Sequence, residues 1–137
     1  MGRRAGLADI KRPGKDVTIV AIGSMVRPAM AAAEALAKEG VEAEVVDPRT
    51  VHPLDEETIL SSVRKTGRLI VVDEAREACS AASHISAVAA EKAFHDLKGP
   101  ILRVTMPNVA VPYSPPLEKS LLPNAERIAE AIRRACG

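Results

Sequence analysis

Short runs of β-branched and aliphatic residues recur along this chain, each separated from the next by a segment of helical periodicity. Residues 17–22, 41–46, 69–72 and 101–104 are such runs, and Gly, Pro or Asp bounds them. Four to six apolar residues between turn signals read as strands buried on both faces. Between the first two runs, Met25, Ala29, Ala32, Ala33 and Leu36 share one helical face, and Gly40 is the stop. Pro28 is compatible with that helix only in its first turn. Leu54-Asp55-Glu56-Glu57 opens a second helix, with acids where the helix dipole favours them, and Gly67 closes it. Residues 79–97 predict a third, with Ile85, Val88 and Ala89 facing the core. Asn124 caps a fourth, whose apolar face is Ile128, Ala131, Ile132 and Ala135. Alternation of this kind predicts an α/β fold, a parallel sheet with helices on both faces and right-handed crossovers.

Length and charge then narrow the function classes. With 137 residues, one domain is expected. Phe94 and Tyr113 are the two aromatics, so the core is built from Val, Ile, Leu and Ala, and no stacking platform for single-stranded nucleic acid exists. A net charge of +1 gives no field toward nucleic acid or membrane, and no apolar run is long enough to span a bilayer. Two cysteines, Cys79 and Cys136, are too few for a disulfide framework or a zinc site, which favours a cytoplasmic location. Residues 1–15 carry Arg3, Arg4, Lys11, Arg12 and Lys15 around the turn Pro13-Gly14. They read as a linker or leader containing a short edge strand at 7–11, and residues 16–137 as the domain proper.

Few positions invite chemistry. The turn Gly23-Ser24-Met25-Val26-Arg27-Pro28 has one glycine where a dinucleotide fingerprint needs three, and Val26 and Pro28 obstruct a pyrophosphate. Asp47, at the end of the second run, stands where a ribose-binding acid would. His84, Glu91 and His95 share a helical face, which fits either a metal site or a solvated stripe. Cys79 precedes a helix start but no general base accompanies it. Asp73-Glu74 ends the third strand at the edge where open α/β sheets bind ligands, and fits either acid–base work or capping of the next helix. Asp47 and Arg49 are placed to pin the loop holding His52 by an ion pair. No convincing active site emerges.

Several segments together resemble a known family. Gly14-Lys15-Asp16-Val17-Thr18-Ile19-Val20 followed by Gly23-Ser24-Met25-Val26 is similar to the opening of the C-terminal domain of transketolase-like beta subunits. Asp47-Pro48-Arg49-Thr50-Val51 with Pro53-Leu54-Asp55 resembles that family's Asp-Leu-Arg-Thr-Leu, Pro-Leu-Asp signature, with Pro48 in place of leucine. Val71-Val72-Asp73-Glu74-Ala75, Val111-Pro112-Tyr113-Ser114-Pro115 and Leu122-Pro123 follow in the family's order. Asp47, Arg49, Pro53, Asp55, Asp73, Glu74 and Tyr113 carry the signature. The family is that of the beta subunits of thiamine-diphosphate-dependent 2-oxo acid dehydrogenases. Cys79-Ser80 and Lys98 make the chain most similar to the acetoin type, with the pyruvate type next.

The resemblance implies a three-layer α/β/α sandwich around a five-stranded, mostly parallel sheet, its weak first strand an antiparallel edge. It implies that the chain is part of a longer beta subunit and is inactive alone, with no catalytic, cofactor or metal residue of its own. Thiamine diphosphate and magnesium would lie in the intact enzyme between the alpha subunit and the beta subunit's N-terminal domain. The C-terminal domain would pair with a second beta subunit and dock the lipoyl acyltransferase core, through Lys98, Gly99, Cys136 and Gly137. Two other readings stay open beside it. One is a free-standing module binding a small ligand near Gly23, Glu74 and Met106. The other is an independent enzyme using Asp73, Glu74 and His52.

Overall fold

The computed structural model describes residues 7–76, 80–106 and 122–137. Five strands, β1 (Asp9–Arg12), β2 (Val17–Ala21), β3 (Ala43–Asp47), β4 (Leu69–Arg76) and β5 (Leu102–Met106), form one sheet in the order β1-β3-β2-β4-β5. β2, β3, β4 and β5 pair in parallel, and β1 runs antiparallel along β3 at the edge. Helices α1 (Val26–Ala37), α2 (Glu56–Thr66), α3 (Ala81–Lys92) and α4 (Ala125–Cys136) cover its faces. The three-layer sandwich with an antiparallel edge strand is therefore as expected.

Strand pleating divides the apolar residues between two cores. Val17, Ile19, Val45, Ile70 and Val72 point to one face, where α1 supplies Ala29, Ala32 and Leu36 and α4 supplies Ile128 and Ile132. Val20, Val46, Leu69 and Val71 point to the other, where α2 supplies Ile59 and Val63 and α3 supplies Ile85 and Ala89. These side chains are almost all fully buried. Small alanines let α1 come close to the sheet, which is how a chain so poor in aromatics still closes its interior.

Three element boundaries differ from expectation, each for a local reason. The third strand does not stop at Asp73-Glu74 but runs on to Arg76. An irregularity between Val72 and Arg76 lets it stay paired with β5, Val72 opposite Val104 and Arg76 opposite Met106. The third helix does not reach Leu97: it ends at Lys92, and Ala93, at φ −134°, turns the chain into a separate 3₁₀ turn, Phe94–Asp96. The first helix is preceded by its own 3₁₀ turn, Gly23–Met25, entered through Gly23 at φ +60°.

Candidate functional site

In a parallel sheet each crossover helix starts beside the C-terminal ends of the strands and finishes beside their N-terminal ends. The two edges are thus chemically different, and the candidate residues divide between them.

At the C-terminal edge, carboxylates meet backbone N–H groups. Asp47 Oδ1 accepts the N–H of Arg49 at 2.8 Å, and Arg49 takes a positive φ of 66°. The loop is thereby pinned, but not by the expected ion pair: among the described residues no Asp47–Arg49 salt bridge forms. A backbone N–H two residues on is a nearer donor to the carboxylate than an exposed guanidinium. Thr50 donates its hydroxyl to the carbonyl of Pro53 at 2.7 Å, and the His52–Pro53 peptide is cis. Asp55 caps α2, accepting from the Thr58 N–H (3.2 Å) and hydroxyl (2.6 Å), and also takes the N–H of Ala8 at 2.9 Å. It thus ties the start of α2 to the segment entering β1. Partial burial pushes its carboxyl up, but the Thr58 and Ala8 donors outweigh burial and hold it below the usual range.

Asp73 is buried, and both its oxygens are occupied: Oδ1 by the N–H of Ala75 (3.1 Å) and Oδ2 by the N–H of Ala81 (3.0 Å), at the start of α3. Its geometry is that of a capping group holding the β4–α3 connection. Glu74 is exposed and accepts from the Ser24 hydroxyl at 3.3 Å. A groove of about 350 Å³ lies between Gly23 and residues 47–51. The expected stripe of His84, Glu91 and His95 does not form, because α3 ends at Lys92 and His95 sits on the 3₁₀ turn, edge-on to Phe94. His84 instead neighbours His52. Among the described residues no three His, Cys, Asp or Glu side chains gather to hold a metal. Cys79 and Tyr113 lie outside the described residues.

At the N-terminal edge, donors meet carbonyls. The N–H of Lys98 donates to Gly67 O at 2.7 Å, and the Lys98 stem packs where a side chain on Gly67 would begin. Gly67, the left-handed residue after α2 at φ +76°, therefore takes a conformation that favours glycine, and any side chain there would displace the Lys98 stem. The next residue, Arg68, donates Nε to Ala135 O at 3.0 Å and a terminal nitrogen to Asp16 O at 3.2 Å. Gly67 and Arg68 thus join the Lys98-Gly99 turn to the end of α4, Cys136-Gly137. Open space surrounds Gly99. Beside it a groove of about 650 Å³ is lined by Ala90, Phe94, Leu97, Lys98, Pro100 and Ile101, with Phe94 65% exposed. The Cys136 thiol is half-buried and pushed up by that burial, with Arg68 pulling it down and Asp16 raising it further.

Glu44 and Arg68 did not stand out in the sequence. Glu44 is 1% exposed, and its carboxylate accepts from Gly14 N–H (3.2 Å), from the Ser62 hydroxyl (2.6 Å) and from Lys65 Nζ. Burial pushes its carboxyl up, but Lys65, Ser62 and Gly14 outweigh that and hold it below its ordinary value. The one available signal was an acid inside an otherwise apolar strand. Ser62 and Thr66 of α2 also meet Thr18 of β2, at 2.7 and 2.8 Å.

Comparison with known proteins places this geometry. Residues 6–128 match the model of the transketolase C-terminal domain. The chain is 54% identical over 129 residues to the beta subunit of an acetoin:2,6-dichlorophenolindophenol oxidoreductase of Cupriavidus necator and 48% identical over 132 residues to that of Bacillus subtilis, covering 94% and 96% of itself and 38% and 39% of those proteins. It is 44% identical over 129 residues to the pyruvate dehydrogenase E1 component subunit beta of B. subtilis, covering 94% of itself and 39% of that protein. The chain thus spans about two-fifths of the length of these relatives. A solved split-gene transketolase, an inactive beta4 tetramer, superposes with a TM-score of 0.84 at 29% identity, over 99% of this chain and 43% of that one.

Proposed function

The chain belongs to the transketolase C-terminal domain family, and from that we propose that it is the assembly and partner-docking domain of the beta subunit of an acetoin or pyruvate dehydrogenase decarboxylase component, inactive on its own. The higher identities to acetoin-type beta subunits favour acetoin over pyruvate. In this reading its partners are the beta subunit's N-terminal domain, the alpha subunit, a second beta subunit and the lipoyl acyltransferase core.

One observation carries the reading: Lys98, before the Gly99 turn, and Ala135, next to the chain end at Cys136-Gly137, are bonded to adjacent residues, Gly67 and Arg68, on one edge of the sheet. The 94–99 segment presents an open glycine turn, an exposed lysine and an exposed phenylalanine at that edge. Interfaces of this kind place aromatic and apolar anchors inside a charged rim. The opposite edge supports the assignment from the other side. Asp73 is fully occupied by backbone donors, so this buried acid serves capping. Thiamine chemistry is assigned to the alpha subunit and the beta N-terminal domain.

The test uses the assembled enzyme with Lys98→Glu and Gly99→Val in its beta subunit. Both should bind the acyltransferase core at least about tenfold more weakly, with cleavage of acetoin, or decarboxylation of pyruvate, by the unattached enzyme unchanged. Unchanged docking with both variants would remove this edge from the interface. Calorimetric binding of thiamine diphosphate to the 137-residue chain alone would overturn the inactive-domain reading.

The groove between Gly23 and residues 47–51 favours one second reading, a small-ligand module using the C-terminal edge. It expects a ligand-dependent rise in Tm for the chain by itself.

A further inference from the structure

His52 and His84 lie 32 residues apart in sequence, yet their rings stand 6.3 Å apart, centroid to centroid, inclined by only 32°. His52 belongs to the loop after β3, which the Asp47 turn and the Thr50–Pro53 bond fix. His84 lies in the first turn of α3, whose start Asp73 fixes through Ala81. Two rigid supports thus hold the pair together. Both side chains are exposed, and among the described residues neither ring has a hydrogen-bond partner.

We propose that His52 and His84 form a two-histidine site for a borderline divalent transition-metal ion such as Zn²⁺ or Ni²⁺. Neutral imidazole is the common ligand for these ions. At a metal–nitrogen distance of about 2.0–2.1 Å, two imidazoles on one tetrahedral ion have centroids about 5 Å apart. Side-chain rotation of two exposed residues closes the remaining gap of about 1 Å without moving either backbone. Among the described residues the two histidines are the protein ligands of the site. Its direct consequence is mechanical: a bound ion cross-links the Asp47–Asp55 loop to α3.

Zn²⁺ and Ni²⁺, each alone, are titrated calorimetrically into the intact 137-residue chain, into His52→Ala, into His84→Ala and into the double variant, with Tm recorded for every sample. The parent should bind one ion, with a Tm that rises with metal. Each single variant should lose at least about tenfold in affinity and lose the Tm rise, and the double variant should fall little further, because chelation is lost with the first ligand. All variants should match the parent's Tm without metal, since both side chains are exposed. Absence of binding in the parent up to millimolar ion overturns the proposal. So does a double variant that binds as tightly as the parent, or single variants whose losses simply add.

Discussion

The two edges of the sheet solve opposite problems. Helices begin at the C-terminal edge, so unpaired backbone N–H groups collect there, and they end at the N-terminal edge, where carbonyls collect. Asp55, Asp73 and Asn124 accept at the first edge. Arg68 donates at the second, and Arg64, Lys65, Lys92, Arg133 and Arg134 stand in the last turns of their helices. The difference teaches that much of the charge in this sequence is architectural. At the C-terminal edge the acids are largely consumed by backbone. At the N-terminal edge one arginine fastens two segments and leaves Lys98, Gly99 and Phe94 facing outward.

Glu44 is the exception, an acid held toward the carbonyl-rich edge, and removing it should have the largest effect. Glu44→Ala is expected to lower stability by about 3 kcal/mol, since it removes the acceptor to which Gly14, Ser62 and Lys65 donate in a buried setting. A fall in the urea midpoint at constant m measures it. Asp73→Ala should cost about 2 kcal/mol, because the N–H groups of Ala75 and Ala81 lose their acceptor, and Asp73→Asn should recover part of that. If Asp73 were instead a functional group, Asp73→Ala would leave the midpoint unmoved.

Arg68→Met should cost about 1 kcal/mol and loosen the end of α4, seen as faster amide exchange in residues 132–136. Arg68→Glu should cost more than Arg68→Met, as it sets a carboxylate against carbonyls, and equal costs would break the contrast between the edges. The acid limb sharpens the contrast from the other side. Glu44 and Asp55 are both held below their ordinary values, so their contribution is complete above the unfolded range and is lost as pH falls through the folded values. Stability should therefore drop below about pH 4.5, and Glu44→Gln should flatten that drop in urea titrations at pH 3–6. The smallest effect belongs to Arg133→Ala. Its pair with Glu39, at 2.8 Å, is exposed on both sides, and its loss should leave the urea midpoint essentially where it is.

Much of this was legible along the chain. The order of strands and helices, the core residues of α4 and the capping by Asn124 follow from periodicity and turn chemistry. The edge strand, Asp9–Arg12, was visible as a weak run at 7–11 beside Pro13-Gly14, its antiparallel direction only through the family resemblance. The end of α3 was not: residues 79–97 carry an uninterrupted helical pattern, and no glycine or proline marks Ala93, where the backbone departs. β4 was read short because Asp73 and Glu74 resemble a strand end, whereas an irregular register lets β4 carry a buried aspartate and continue. Tyr113 and Cys79 lie outside the described residues.

The architecture was written in local patterns, because apolar periodicity, glycine and proline act over a few residues and each leaves a local mark. Tertiary structure alone decided which polar groups meet. Whether Asp73 reaches Ala81, Glu44 reaches Gly14 and Lys65, Arg68 reaches Ala135, or His52 stands beside His84 depends on where crossovers return the chain. Hydrogen bonds and metal–ligand contacts act over about 3 Å or less, while the residues that make them here lie 8 to 67 positions apart.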